Sequence, residues 1–139
     1  MSPDRPEAHV LLHGDETGAV VSATEIVVPP RSAGPPLHRH DFDEAFYVLD
    51  GELTFQIDGV LTTGTPGALR FAPRNVVHAL ANHGEVPARY LLICTPAGFE
   101  RHWAREAAQA AGTPVPPWAS APTPEVVVVG PPLPMTAGQ

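Results

Sequence analysis

His38, His40 and Glu44 lie close together in the chain, and His78 follows further on. Side chains alternate faces along an extended strand, so His38 and His40, at i and i+2, project their imidazoles from one face. Glu44 is four residues further, an even offset. If Asp41–Asp43 forms only a short bend, its carboxylate returns to that face. Two imidazoles and a carboxylate converging on one point make a site for a first-row transition metal. Asp41 and Asp43 compete with Glu44 for the carboxylate role. His78 is a third histidine, in the β-like run Val76–Asn82 just after a turn at Pro73-Arg74-Asn75.

The elements that must position these groups are short. Runs rich in Val, Leu, Phe and Thr, broken by Gly, Pro and Asp, predict strands near 9–13, 20–28, 37–40, 44–50, 52–58, 60–63, 67–72, 76–82 and 88–95. Asp50-Gly51 and Asp58-Gly59 separate alternating runs, and Asp-Gly suits a two-residue hairpin turn with positive φ at both positions. Many short strands with frequent turns predict an all-β sandwich or barrel. Phe99, Trp103 and Ala107 recur at i, i+4 and i+8, which predicts a helix over 99–111 with that face apolar. Gly112 and Pro114 stop it. The organisation expected is a flexible terminus over 1–8, a barrel over 9–95, a peripheral helix over 96–112 and a proline-rich tail over 113–139. That tail holds eight of the 18 prolines and the run Val126-Val127-Val128-Val129. A free valine run of this kind invites aggregation, so it must pair with its own barrel edge or with a partner subunit.

Two stretches resemble the paired motifs of the cupin superfamily. The first reads His38-x-His40, three residues, Glu44, six residues, Gly51. The second reads Gly67, five residues, Pro73-x-Asn75, two residues, His78, three residues, Asn82. The resemblance is closest to small, single-domain, quercetin-dioxygenase-like cupins. It implies a jelly-roll barrel, a homodimer, and one divalent transition metal (Fe, Mn, Ni, Co or Zn) held by His38, His40, Glu44 and His78. The six-residue run to Gly51 favours Glu44 over Asp43. Two positions depart from the pattern. Ser32 stands where the first motif opens on glycine, with Gly34 two residues later, and Asn75 replaces a glycine. Asn tolerates left-handed backbone geometry better than other non-glycine residues, so that turn can survive.

Strand parity predicts the lining. Phe46 and Val48 share the face of Glu44, Phe55 and Ile57 alternate with polar neighbours, and Leu80 and Asn82 share the face of His78. The expected substrate pocket is thus Phe46, Val48, Phe55, Ile57, Leu80 and Asn82, apolar and almost without cations; Asn82, near its strand end, is also expected to cap or bond the backbone there. A planar aromatic or enolic ligand fits such a pocket better than a sugar phosphate. Arg39, Tyr47 and Glu25 are expected to face outward, and His9, His13, His83 and His102 to be surface or edge residues. Cys94 is expected to be an inert buried thiol and Trp103 a core anchor.

Composition narrows the partners. The net charge is -7 over 139 residues, which disfavours nucleic acid and anionic membrane surfaces. No apolar run reaches the roughly 20 residues of a transmembrane helix, and the start does not read as a signal peptide. With a single cysteine, this suggests a cytoplasmic protein. Basic residues number eight and all are arginine, a bias of GC-rich bacterial genomes in which secondary metabolism is one setting. The function expected is an oxygen-dependent dioxygenase of quercetinase-like type, with Glu44 doubling as a base. The alternatives are a non-redox metal-dependent cyclase, isomerase or lyase, and a non-catalytic small-molecule binding module.

Overall fold

The structure is a computed structural model, and it describes residues 5–135. Among the described residues, ten strands form two five-stranded sheets. They are β1 (Glu7–Leu12), β2 (Ser22–Val28), β3 (His38–His40), β4 (Asp43–Asp50), β5 (Leu53–Ile57), β6 (Val60–Gly64), β7 (Leu69–Ala72), β8 (His78–Ala81), β9 (Ala88–Thr95) and β10 (Val126–Val128). The first sheet runs β1-β2-β9-β4-β7 and the second β10-β3-β8-β5-β6, with every pairing antiparallel. β2 and β9 alternate strictly between buried and part-exposed positions, as strands with one face on a core must. Their inward residues Ile26, Val28, Tyr90 and Leu92 meet Leu53 and Phe55 from the opposite sheet. This is the all-β jelly-roll barrel expected.

The two Asp-Gly pairs differ. Asp58 and Gly59 both have positive φ, 52° and 78°, and join β5 to β6 as a tight hairpin. At the other pair only Gly51 is left-handed, and β4 and β5 belong to different sheets. Asp50-Gly51 is therefore a corner between sheets and not a hairpin. Glycine is required there because a Cβ would lie 2.7 Å from the Pro87 carbonyl oxygen and 2.8 Å from the Ala88 Cα.

A short helix, α1 (Gly14–Thr17), follows β1 where the sequence reading has none. The long helix, α2 (Glu100–Ala111), packs on β1 and β2 and ends at Gly112 with φ 68°. Its buried positions are Glu100, Ala104 and Ala108, while Ala107 is exposed. Phe99 and Trp103 do pack on the core. The inward face is thus turned by one residue from the expected one, and Glu100 stands at its N-terminal end. That carboxylate is 2% exposed and accepts N–H bonds from Gly14 (2.8 Å) and Gly98 (2.6 Å). A buried charge needs such donors, and here they come from two loops that sequence periodicity does not see. The valine run pairs within its own chain, as β10 on β3. No helix among the described residues is long and apolar enough to cross a membrane.

Candidate metal centre

His38 and His40 lie on β3, Glu44 near the start of β4 and His78 at the start of β8. β3 and β8 are neighbours in one sheet, with His38 directly opposite His78. The bend at Asp41-Phe42 carries the chain into the other sheet, so Glu44 faces the three imidazoles across the barrel interior. One ligand atom from each of the four residues lies within 4.8 Å of the others. His40, Glu44 and His78 are buried and His38 is half-buried.

Each imidazole is fixed from behind. The Nδ1 atoms of His38, His40 and His78 contact the carbonyl oxygens of Pro36 (2.8 Å), Phe42 (3.0 Å) and Val76 (2.9 Å). A carbonyl only accepts, so Nδ1 carries the proton in each ring, and a neutral ring then turns an Nε2 lone pair toward the centre. Yet Nε2 of His40 and of His78 lies 2.7 Å and 2.8 Å from the same oxygen, Oε1 of Glu44. Lone pairs at that separation repel unless a positive charge lies among them. A proton on each ring meets the need, and so does one divalent cation. Three imidazoles and one carboxylate, pre-oriented in this way, fit a first-row metal.

The charge balance shows the same demand. Burial raises the Glu44 carboxyl, but hydrogen bonds from His40 and His78 outweigh it and hold the group down to about 2. Burial lowers His78, and its bond to Glu44 outweighs that and raises it. His38 is lowered, chiefly by burial. Phe42, 1% exposed, stacks on His40 at a centroid distance of 3.6 Å and an interplanar angle of 7°, and Phe99 stacks behind it. The buried Cys94 thiol lies 3.9 Å from Glu44 Oε2 and is pushed well up, first by burial and then by that carboxylate.

The rival carboxylates are engaged elsewhere. Asp43 accepts bonds from the Arg74 backbone (2.8 Å) and guanidinium (3.0 Å), and Asp41 accepts one from Asn75 (3.3 Å). Asn75 holds φ 66°, taking the left-handed conformation of the glycine it replaces. Its amide donates to the His40 carbonyl at 2.6 Å, so this turn also supports β3.

Above the four residues opens a cavity of ≈ 430 Å³. Phe46 and Leu80 line it, together with Ile26, Val28, Tyr90 and Leu92, which the sequence reading did not assign to it. Four expected lining residues lie elsewhere. Val48 and Phe55 are buried in the core, packed near Gly64 and away from the cavity lining, and Ile57 lies part-buried against that core. Parity places Val48 and Phe55 inward but cannot say how deep along the barrel they fall. Asn82 is a backbone clamp. Its Nδ2 donates to the carbonyls of Val28, Pro29 and Val86, and its Oδ1 accepts from the Gly84 amide. The mouth carries groups not expected at the pocket: Val126 and Val128 of β10, and Arg5, His102 and Glu106, with Arg5 ion-paired to Glu106. Trp103 lines the cavity as well as packing on the core. His83 is buried rather than at the surface, and His13 is stacked on Trp118 at 4.0 Å. Arg39 and Tyr47 are exposed, and Glu25 pairs with Arg89 at 3.4 Å.

Comparison with known proteins agrees with this arrangement. The cupin-domain family model matches residues 24–94, which contain all four residues of the centre. The chain belongs to the cupin family. It is 31% identical over 85 residues to a Myxococcus xanthus protein named endoribonuclease YbeY; the match spans 58% of this chain and 29% of that protein, under a third of its length. Among solved structures, it resembles a predicted oxalate decarboxylase from Thermotoga maritima at 24% identity, with a TM-score of 0.62 over 66% of this chain and 80% of that one. It also resembles the polyketide cyclase RemF from Streptomyces resistomycificus at 23% identity, with a TM-score of 0.58 over 65% of this chain and 64% of that one. At these identities the likeness is one of fold.

Proposed function

We propose that this cupin is a metal-dependent enzyme acting on a small enolic or aromatic molecule, as a dioxygenase of quercetinase-like type. The observation that carries this reading is the His38–His40–Glu44–His78 cluster at the base of an aromatic and aliphatic cavity of ≈ 430 Å³. A divalent transition metal held there would supply Lewis acidity and, if redox-active, electron exchange with dioxygen. In a six-coordinate centre, four protein ligands leave two positions open.

The chain's own residues do the rest. Phe46, Leu80, Tyr90 and Leu92 present an apolar surface that takes a flat ring and keeps water away from it. The three Nδ1–H···O=C bonds hold the imidazoles in one tautomer and orientation. Glu44 is ionised across ordinary pH and faces the same space, so it is placed to accept an enol proton once its bonds to His40 and His78 are given up. The Arg5–Glu106 pair brings no net charge to the mouth, in keeping with a weakly charged substrate.

A second reading, a non-redox cyclase, isomerase or lyase, draws support from the fold neighbour named as a polyketide cyclase. Two measurements separate them. Metal analysis of protein purified without chelator, repeated for His78→Ala, should show stoichiometric Fe, Mn, Ni or Co that the variant loses. Oxygen uptake with a flavonol should then require both metal and air. Zinc with no oxygen dependence supports the second reading. No metal above background, even after reconstitution, overturns both and leaves a binding module.

A further inference from the structure

The valine run of the tail has no part in the metal centre, yet it lies directly beside it. β10 pairs with β3 in the register Val126↔His40, Val127↔Arg39 and Val128↔His38. Directly opposed residues in antiparallel strands project to the same face. Val126 and Val128 therefore point the way His40 and His38 point, and both line the cavity. The strand is seated firmly. The amides of Val129 and Gly130 donate to the Leu37 carbonyl at 2.9 Å and 3.3 Å, and the Leu37 amide donates to Pro131 at 3.1 Å. Gly130 lies so close to Leu37 that a Cβ would stand 3.2 Å from its Cδ1. Beyond it, Leu133 is buried with Ala79 and Ala81 of β8.

We propose that Val126 and Val128 are specificity-determining residues: exposed at the mouth of the substrate cavity, they form one wall of its entrance and select ligands by width. Two β-branched side chains, stiff at χ1, make a wall that does not yield by changing rotamer. Both are uncharged, so the selection is steric and apolar. The ligand it admits is one whose enolic oxygen reaches the centre while a narrow, flat hydrocarbon edge runs along β10. This inference rests on the metal-enzyme reading above.

Zinc-loaded protein permits the test without redox turnover, because zinc has no redox chemistry of its own. The probes are 4-nitrocatechol, with one ring, and 3-hydroxyflavone, a wider enol. Binding is read from probe absorbance and from quenching of tryptophan fluorescence, since Trp103 lines the cavity. Val126→Phe and Val128→Phe should weaken 3-hydroxyflavone about tenfold or more and leave 4-nitrocatechol within about threefold, with unchanged zinc content. Val126→Ala and Val128→Ala only remove atoms, so they keep the strand seated should the larger residues disturb folding. They should shift the ratio of the two affinities toward the wider probe by about threefold. A ratio unchanged in all four variants overturns the inference. Failure of the parent protein to bind either probe or zinc overturns the metal-enzyme reading, and this inference with it.

Discussion

Glu44 and His78 show how one contact sets two opposite titrations. In chelator-treated protein the Glu44 carboxyl is held down to about 2 from an ordinary 4.5, while His78 is raised above 6.5. Between those two carboxyl values the folded state binds fewer protons than the unfolded one. Acid passing through that window therefore withdraws stability. Above pH 6.5 the folded state keeps a His78 proton that the unfolded state has lost, so alkali passing through the raised value withdraws stability as well. Urea midpoints of the metal-free protein should peak between the two windows, and Glu44→Gln should remove the alkaline arm, since it is chiefly Glu44 that holds the buried His78 above its ordinary value. A profile that is flat in the parent protein would show that the short contacts to Glu44 are not made in solution. His38, His40 and Glu44 were legible from their spacing, given a short bend at Asp41–Asp43, and His78 joined them through the resemblance of its stretch to the second cupin motif. A backbone-bonding role for Asn82 near its strand end was legible in the sequence. Which carbonyls its amide meets, those of Val28, Pro29 and Val86, is a fact of tertiary placement.

At the scale of elements, glycines and bends decide how strands bring the ligands together. Gly34 has φ +72°, and a Cβ there would lie 1.9 Å from the Leu80 carbonyl oxygen. Gly34, two residues after the motif position, is thus the glycine that this approach to β8 requires. Ser32, at the motif position, instead exchanges backbone hydrogen bonds with Asn82. Gly59 has a similar φ, +78°, but open space around it. Gly59→Ala should cost about 1–2 kcal/mol, the penalty of left-handed geometry alone. Gly34→Ala should cost more than about 2 kcal/mol, because backbone must move as well. Urea denaturation of the two variants checks this, and equal costs would mean that the β8 carbonyl yields easily. Reading Asp50-Gly51 as a hairpin misses for a related reason. The same dipeptide serves a hairpin or a corner, and only the sheet assignment of the strands on either side distinguishes them.

At the scale of the whole molecule, the centre joins the two sheets. His38, His40 and His78 belong to one sheet and Glu44 to the other. A metal ion held by all four would cross-link the halves of the barrel and bind the folded state alone. At a hundredfold excess over its dissociation constant it should add about 2.7 kcal/mol to stability. The thermal midpoint should rise on adding the metal and fall back with chelator, and His78→Ala should lose the response. No response in the parent protein would mean that the cluster does not hold the ion.

The sequence by itself determined the all-β barrel and the four residues of the centre, together with the left-handed turn at Asn75. The barrel and the turn depend on local spacing or on one residue's backbone preference, which are short-range signals; the full set of four came from the resemblance of two stretches to the paired cupin motifs. The tertiary structure alone decided the depth of Val48 and Phe55 and the rotation of α2 onto Glu100. It also decided the choice of β3 as partner for the valine run and the wall that Val126 and Val128 make beside His38 and His40. Those depend on which distant segments pack together. That packing is set by the burial of apolar faces and by partners for buried polar groups, which no window along the chain contains.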